Sequence, residues 1–161
     1  MKKRHVSVDP SSVKTAAIRW VNDKPVDCDF APYQELIDDG WFLKGNGKLV
    51  IEAIGFKAPR ERQGGMLKCA DAAARIREAA ARAGMDIIEV PPKIWKHVVF
   101  GLRGDQKPSK AIVARLLKSI GCNDDIIKKC IRNEHKRDAT GIGLWWLAME
   151  RQKAAIERKR K

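Results

Sequence analysis

Arg4-His5-Val6-Ser7-Val8-Asp9-Pro10-Ser11-Ser12-Val13-Lys14-Thr15-Ala16-Ala17-Ile18-Arg19-Trp20-Val21 reads as two strands around a turn. Residues 4–9 alternate enough for the first strand, and residues 14–21 form the second. Pro10-Ser11-Ser12 supply turn chemistry, so the two strands should pair as a hairpin. The first strand leaves its apolar run on a carboxylate, Asp9.

Working outward, residues 25–30 suggest a short third strand. Ala31-Pro32 opens a helical stretch to about Asp39, where Gly40 stops it. Gly45-Asn46-Gly47 is a turn, and 48–54 is the next strand, in which Leu49-Val50-Ile51 runs into Glu52. Residues 55–65 form a loop rich in Gly, Pro and charge. A helix follows over 65–83, with Leu67, Ala70, Ala73, Ile76, Ala80 and Ala83 spaced as one buried face and Gly84 at its end. Residues 85–90 are a strand. Pro91-Pro92 leads into a short helix ending near Gly101, and 102–108 form a second basic loop. Ser109 caps a helix to about Ile120. A helix over 123–132 and a last one from about 133 complete the chain. Strands first, then alternation, then helices imply an α/β domain around a mixed sheet.

The length of 161 residues suits one domain with a full core. Residues 1–150 are read as that domain and 151–161 as a basic tail. The tail carries six Lys or Arg against one Glu, a solvated helix end or an arm touching phosphates. The formal net charge of +13 points to a polyanionic partner. Nucleic acid is favoured over membrane, because no basic amphipathic helix has a large apolar face and no apolar run is long enough to span one. No signal-peptide core follows the basic start, so a cytoplasmic location is expected. Cys28, Cys69, Cys122 and Cys130 form no Cys-x-x-Cys pair, which argues against a zinc knuckle and for reduced thiols.

Asp9, Glu52, His135 and Asp138 are the candidate site. Three carboxylates and an imidazole are hard ligands suited to Mg²⁺ or Mn²⁺. His135 and Asp138, three apart on a helix, share a face. Gly141 and Gly143, a turn further on, would let that helix sit close to the sheet. Taken singly, Asp9 could cap a turn, Glu52 could be exposed, and His135 and Asp138 could be a surface polar pair. Their joint pattern on a basic chain suggests metal-dependent cutting of nucleic acid.

These residues also carry a resemblance. Val8-Asp9-Pro10-Ser11-Ser12-Val13-Lys14-Thr15-Ala16, Val50-Ile51-Glu52, Met66-Leu67-Lys68-Cys69-Ala70, Pro91 through Lys110, and His135-Lys136-Arg137-Asp138-Ala139 occur in the order found in RuvC-type Holliday-junction resolvases. The chain resembles that family, within the ribonuclease H-like nucleases, over most of its length. The resemblance implies a ribonuclease H-like fold with a mixed five-stranded central sheet flanked by helices. It implies catalytic and metal-ligating roles for Asp9, Glu52, His135 and Asp138, with two Mg²⁺ or Mn²⁺ ions per site. It also implies a homodimer acting on branched DNA, four-way junctions above all. The compact segment between the hairpin and Glu52 suggests a phage-encoded member.

The expected DNA-facing residues are Lys57, Arg60, Arg62, Lys93, Lys96, Arg103, Lys107 and Lys110, with Phe56 as a candidate stacking ring. The family's stacking aromatic lies three residues after its catalytic Glu, where this chain has Gly55. Fork, flap or RNA–DNA hybrid cleavage, and a non-catalytic DNA-binding module, are the alternatives. Retention of all four ligands weighs against the module, since buried carboxylates without metal repel one another.

Overall fold

The computed structural model describes residues 3–42, 47–54, 63–103 and 105–160. The hairpin is β1 (Arg4–Asp9) and β2 (Thr15–Val21), paired antiparallel with Asp9 opposite Ala16. The third strand, β3 (Lys24–Ala31), is longer than expected and pairs antiparallel with β2. It follows a tight turn in which Asn22 and Asp23 both take positive φ, a conformation these two residue types tolerate. After α1 (Tyr33–Asp38), β4 (Lys48–Glu52) lies parallel to β1, and β5 (Asp86–Val90) lies parallel to β4. The sheet order is β3-β2-β1-β4-β5, the mixed five-stranded sheet expected. The expected turn at Gly45-Asn46 lies outside the described residues.

The two faces of the sheet separate cleanly. Val6, Val8, Ala17, Leu49 and Ile51 pack with α1 and with α2 (Gln63–Arg82) through Ala73, Ile76 and Ala80. Leu67 departs from the expected buried face: it is 58% exposed, in the first turns of α2 before the helix meets the sheet. Ala16, Ile18, Trp20, Val50 and Val90 face the other way. They meet α3 (Pro92–Phe100), α4 (Lys110–Ser119), α5 (Asp124–Ile131) and α6 (Glu134–Lys159). Side chains of Ser109, Asn123 and Asn133 cap the last three helices by accepting from backbone N–H groups.

Helix α6 is the centre of that face. Residues 139–144 are all buried, an arrangement for a helix packed on every side. Two glycines make it possible. A methyl group at Gly143 would lie 2.3 Å from the Trp20 ring, and one at Gly141 would lie 2.6 Å from the Trp95 ring. Both indoles are fully buried. Beyond Glu150 the helix continues through the basic segment to Lys159, so no structural break falls at residue 150. None of the described helices is long and apolar enough to cross a membrane.

Gly143→Ala separates packing from propensity. Alanine gains about 1 kcal/mol of helix propensity, but overpacking a core typically costs about 1–3 kcal/mol. With rigid indole atoms at 2.3 Å, the clash should win. The variant should unfold at lower urea than wild type, and a raised midpoint would refute the close-packing account.

Candidate active site

Strand periodicity sets up the site. Alternate residues of β1 face α6, so His5, Ser7 and Asp9 form a row of polar side chains, all buried. Ser7 Oγ accepts from Trp20 Nε1 at 2.8 Å, and His5 stacks on the same indole. Asp9 ends the row where the strand ends. On the neighbouring parallel strand, Glu52 is the next residue after Ile51, which pairs with Val8. Asp9 and Glu52 therefore stand side by side on one face, at the carboxyl ends of β1 and β4.

The start of α6 supplies the other two residues. Asn133 accepts from Lys136 N at 2.8 Å and fixes where the helix begins. His135 then falls in the first turn, and its Nδ1 lies 2.8 Å from Asp9 Oδ2. Asp138, one turn on, has its Oδ1 buried with no hydrogen-bond partner. Burial, and then the charge of Asp9, push the Glu52 carboxyl up to about 7 and that of Asp138 up to about 6. The hydrogen bond to Asp9 raises His135 and holds it toward the imidazolium. The three segments thus meet in one electrostatically coupled group, although no three His, Cys, Asp or Glu among the described residues close into a ready-made metal cage.

Comparison with solved structures decides the architecture. A Thermus thermophilus RuvC structure in complex with Holliday junction substrate superposes with a TM-score of 0.61 at 15% identity, over 89% of this chain and 92% of that one. A second Thermus thermophilus RuvC structure gives 0.53 at 11% identity, over 91% and 96%. The chain has the RuvC fold. No protein-family model and no curated protein matches it. On the RuvC fold, the five-stranded sheet and the helix closing over it are those expected from the sequence.

Around the four residues, the RuvC fold gathers side chains that the sequence did not mark. Trp95 Nε1 donates to Glu52 Oε2 at 2.9 Å. Phe30 of β3 stacks on the His135 ring with centroids 5.5 Å apart, and the Lys14 ammonium lies over Phe30. No motif announces Trp95 or Phe30. Each reaches the site through tertiary packing, and only the alternation of β3 from Cys28 to Phe30 hints that Phe30 faces α6.

The expected DNA-facing residues fall into four groups. Lys93, Arg103 and Lys110 are exposed. Lys96 is half-buried: its ammonium lies over the Trp95 ring, and its charge counters the upward push on Glu52 and Asp138. Lys107 pairs with Glu134 beside His135, and Arg137 donates to the carbonyls of Pro108 and Ile131, so Lys107 and Pro108 are tied to the start of α6. Phe56, Lys57, Arg60 and Arg62 lie outside the described residues. Of the other two histidines, His5 is buried against Trp20, with its pKa lowered by burial to about 3, and His97 is exposed.

The raised carboxyls link stability to pH. Glu52 in the folded chain titrates near 7 against an ordinary 4.5, so it is protonated more readily folded than unfolded. Its contribution is complete below pH 4.5 and is lost as pH rises toward 7. The loss for Glu52 is at most roughly 3 kcal/mol. Without divalent cations, Glu52→Gln should raise the melting temperature more at pH 8 than at pH 4.5. Equal shifts at both pH values would place Glu52 in ordinary solvent.

Proposed function

We propose that the chain is a metal-dependent DNA endonuclease that resolves four-way junctions by paired symmetric nicks, acting as a twofold homodimer. The observation that carries this reading is the meeting of Asp9, Glu52, His135 and Asp138 at one end of the sheet. The RuvC fold supports it, since one protein of that fold was solved with a Holliday junction. The basic balance of +13 supports a nucleic-acid partner.

The donor set fits hard divalent cations. Two coupled carboxyls are held above their ordinary range, and one oxygen of Asp138 has no partner, so a nearby cation relieves both. Asp9, Glu52, Asp138 and His135 would hold Mg²⁺ or Mn²⁺. When bound, such ions supply polarised water and neutralise charge on a phosphodiester. The chain's own residues do the rest. Asp9 stands beside Glu52 and orients the His135 ring through Nδ1. Lys93, Arg103 and Lys110 offer exposed cations to flanking phosphates, which position the substrate without reading its sequence. A junction is close to twofold symmetric, and a C₂ dimer presents two sites to two opposed strands.

The deciding assay compares a four-way junction, a flap, a linear duplex and an RNA–DNA hybrid, with Mg²⁺, with Mn²⁺ and with chelator. Paired nicks confined to the junction and abolished by chelator are expected, and equal cutting of duplex would remove the resolvase reading. Asp9→Asn, Glu52→Gln and Asp138→Asn should each abolish cleavage while junction binding survives, because phosphate contacts supply most of the affinity. Near-normal turnover by any of the three in Mg²⁺ would remove that residue from the site. His135→Ala should be impaired and His135→Asp should keep substantial Mg²⁺ activity.

Salt dependence tests the basic track. Removing one phosphate contact lowers the slope of log K against log salt by about one. Arg103→Gln should approach that value, whereas Lys107→Gln should change the slope less, because its ammonium already pairs with Glu134. Unchanged slopes in both variants would show that the loop does not touch the backbone.

A further inference from the structure

Trp95 stands out among the residues that the proposed reaction has not used. It lies on α3, fully buried, with its edge toward Phe100. Its indole N–H donates to Glu52 Oε2 at 2.9 Å. The far side of the same ring fills the space over Gly141, where a methyl group would lie 2.6 Å from it. Gly141 is one turn after Asp138 on α6. One rigid side chain therefore touches a carboxylate carried by β4 and the helix that carries Asp138 and His135.

The chemistry of the donor matters. An indole is a donor only and carries no charge. It can hold one carboxylate oxygen without neutralising it, so the carboxylate keeps its charge for a cation. A Lys or Arg in the same place would compete with the cation, and a plain apolar ring would leave Oε2 buried without a partner. Groups that hydrogen-bond a metal-ligating carboxylate orient it and tune its affinity.

We propose that Trp95 is the positioning residue for Glu52: its N–H fixes Oε2 and leaves Oε1 to a divalent cation, while its ring sets the spacing from β4 to the ligands on α6. This inference rests on the metal-dependent reading of the site. It adds a residue for which neither composition nor motif gave a role.

The test uses the full chain with Mn²⁺ as the probe. Free Mn²⁺ is followed by electron paramagnetic resonance, and the indole N–H signals of the five tryptophans by ¹⁵N-correlated NMR. Trp95→Phe identifies the Trp95 signal. Because Trp95→Phe removes core volume, a second variant carries β-(3-benzothienyl)alanine at position 95, which keeps the bicyclic shape and deletes the N–H. Glu52→Gln should move the Trp95 indole signal. The benzothienyl variant should bind Mn²⁺ about 10–100-fold more weakly than wild type. Its KM for a junction should be unchanged and its kcat lowered, with kcat recovering as Mn²⁺ is raised, which a merely structural defect would not do. Wild-type Mn²⁺ affinity in the benzothienyl variant, or an indole signal unmoved by Glu52→Gln, overturns the proposal. A wild-type protein that shows the Mn²⁺ linkage but cuts none of the four DNA substrates overturns the nuclease reading and leaves the Trp95 assignment standing.

Discussion

Two buried indoles wedge between the sheet and α6, and the rest of the structure is arranged around them. Trp20 rises from β2 and Trp95 from α3; each donates its N–H toward the sheet, to Ser7 and to Glu52. Each also backs onto a glycine of α6, Gly143 and Gly141. The indoles are too large to fit under a helix with ordinary side chains at those positions. Glycine weakens a helix by about 1 kcal/mol per residue, and two in one turn would be costly in a solvated helix. Here burial of 139–144 among sheet and helices offsets that cost. The close approach brings the first turn of α6 over the ends of β1 and β4, where Asp9 is within hydrogen-bonding distance of His135.

The same approach concentrates negative charge in a poorly solvated place. Glu52 and Asp138 are both pushed upward by burial first and by Asp9 second. Lys96, its ammonium over Trp95, tempers this at both carboxyls, and His135 beside Asp9 tempers it at Asp138. A neutral isostere in place of either carboxylate would remove this repulsion while keeping the hydrogen-bonding shape. The site is thus a local conflict with folding, carried by the cores on the two faces of the sheet.

Much of this was legible in the sequence because its signals are local. Strand alternation, the turn at Pro10-Ser11-Ser12, the Ser109 cap and the stop at Gly101 each report on a few neighbouring residues. The four candidate residues could be grouped from the sequence, since Asp9 and Glu52 end strands and His135 and Asp138 fall in the first turns of one helix. What escaped depends on contacts distant in sequence. Trp95 looks like any apolar residue of a short helix, and its bond to Glu52 spans 43 positions. Leu67 was assigned to a buried face by spacing, but spacing does not reveal where a helix first meets the sheet. Lys107 looked free because its partner Glu134 lies 27 residues away. Phe30 depends on how far β3 runs along β2, which a turn with two positive φ angles and a bulge near Arg19 decide.

Helix α6 can also be seen as a lever. Its fulcrum is the glycine pair seated on the two indoles, and its arms are unequal. Asp138 lies about 6 Å from the fulcrum and Lys159 about 25 Å beyond it, at 1.5 Å per residue. Pivoting as a rod, the helix would pass a sideways movement of its basic tip to Asp138 reduced about fourfold and reversed in direction. Displacements of the exposed cationic end therefore reach Asp138 strongly reduced, and the short arm keeps its alignment while the long one moves.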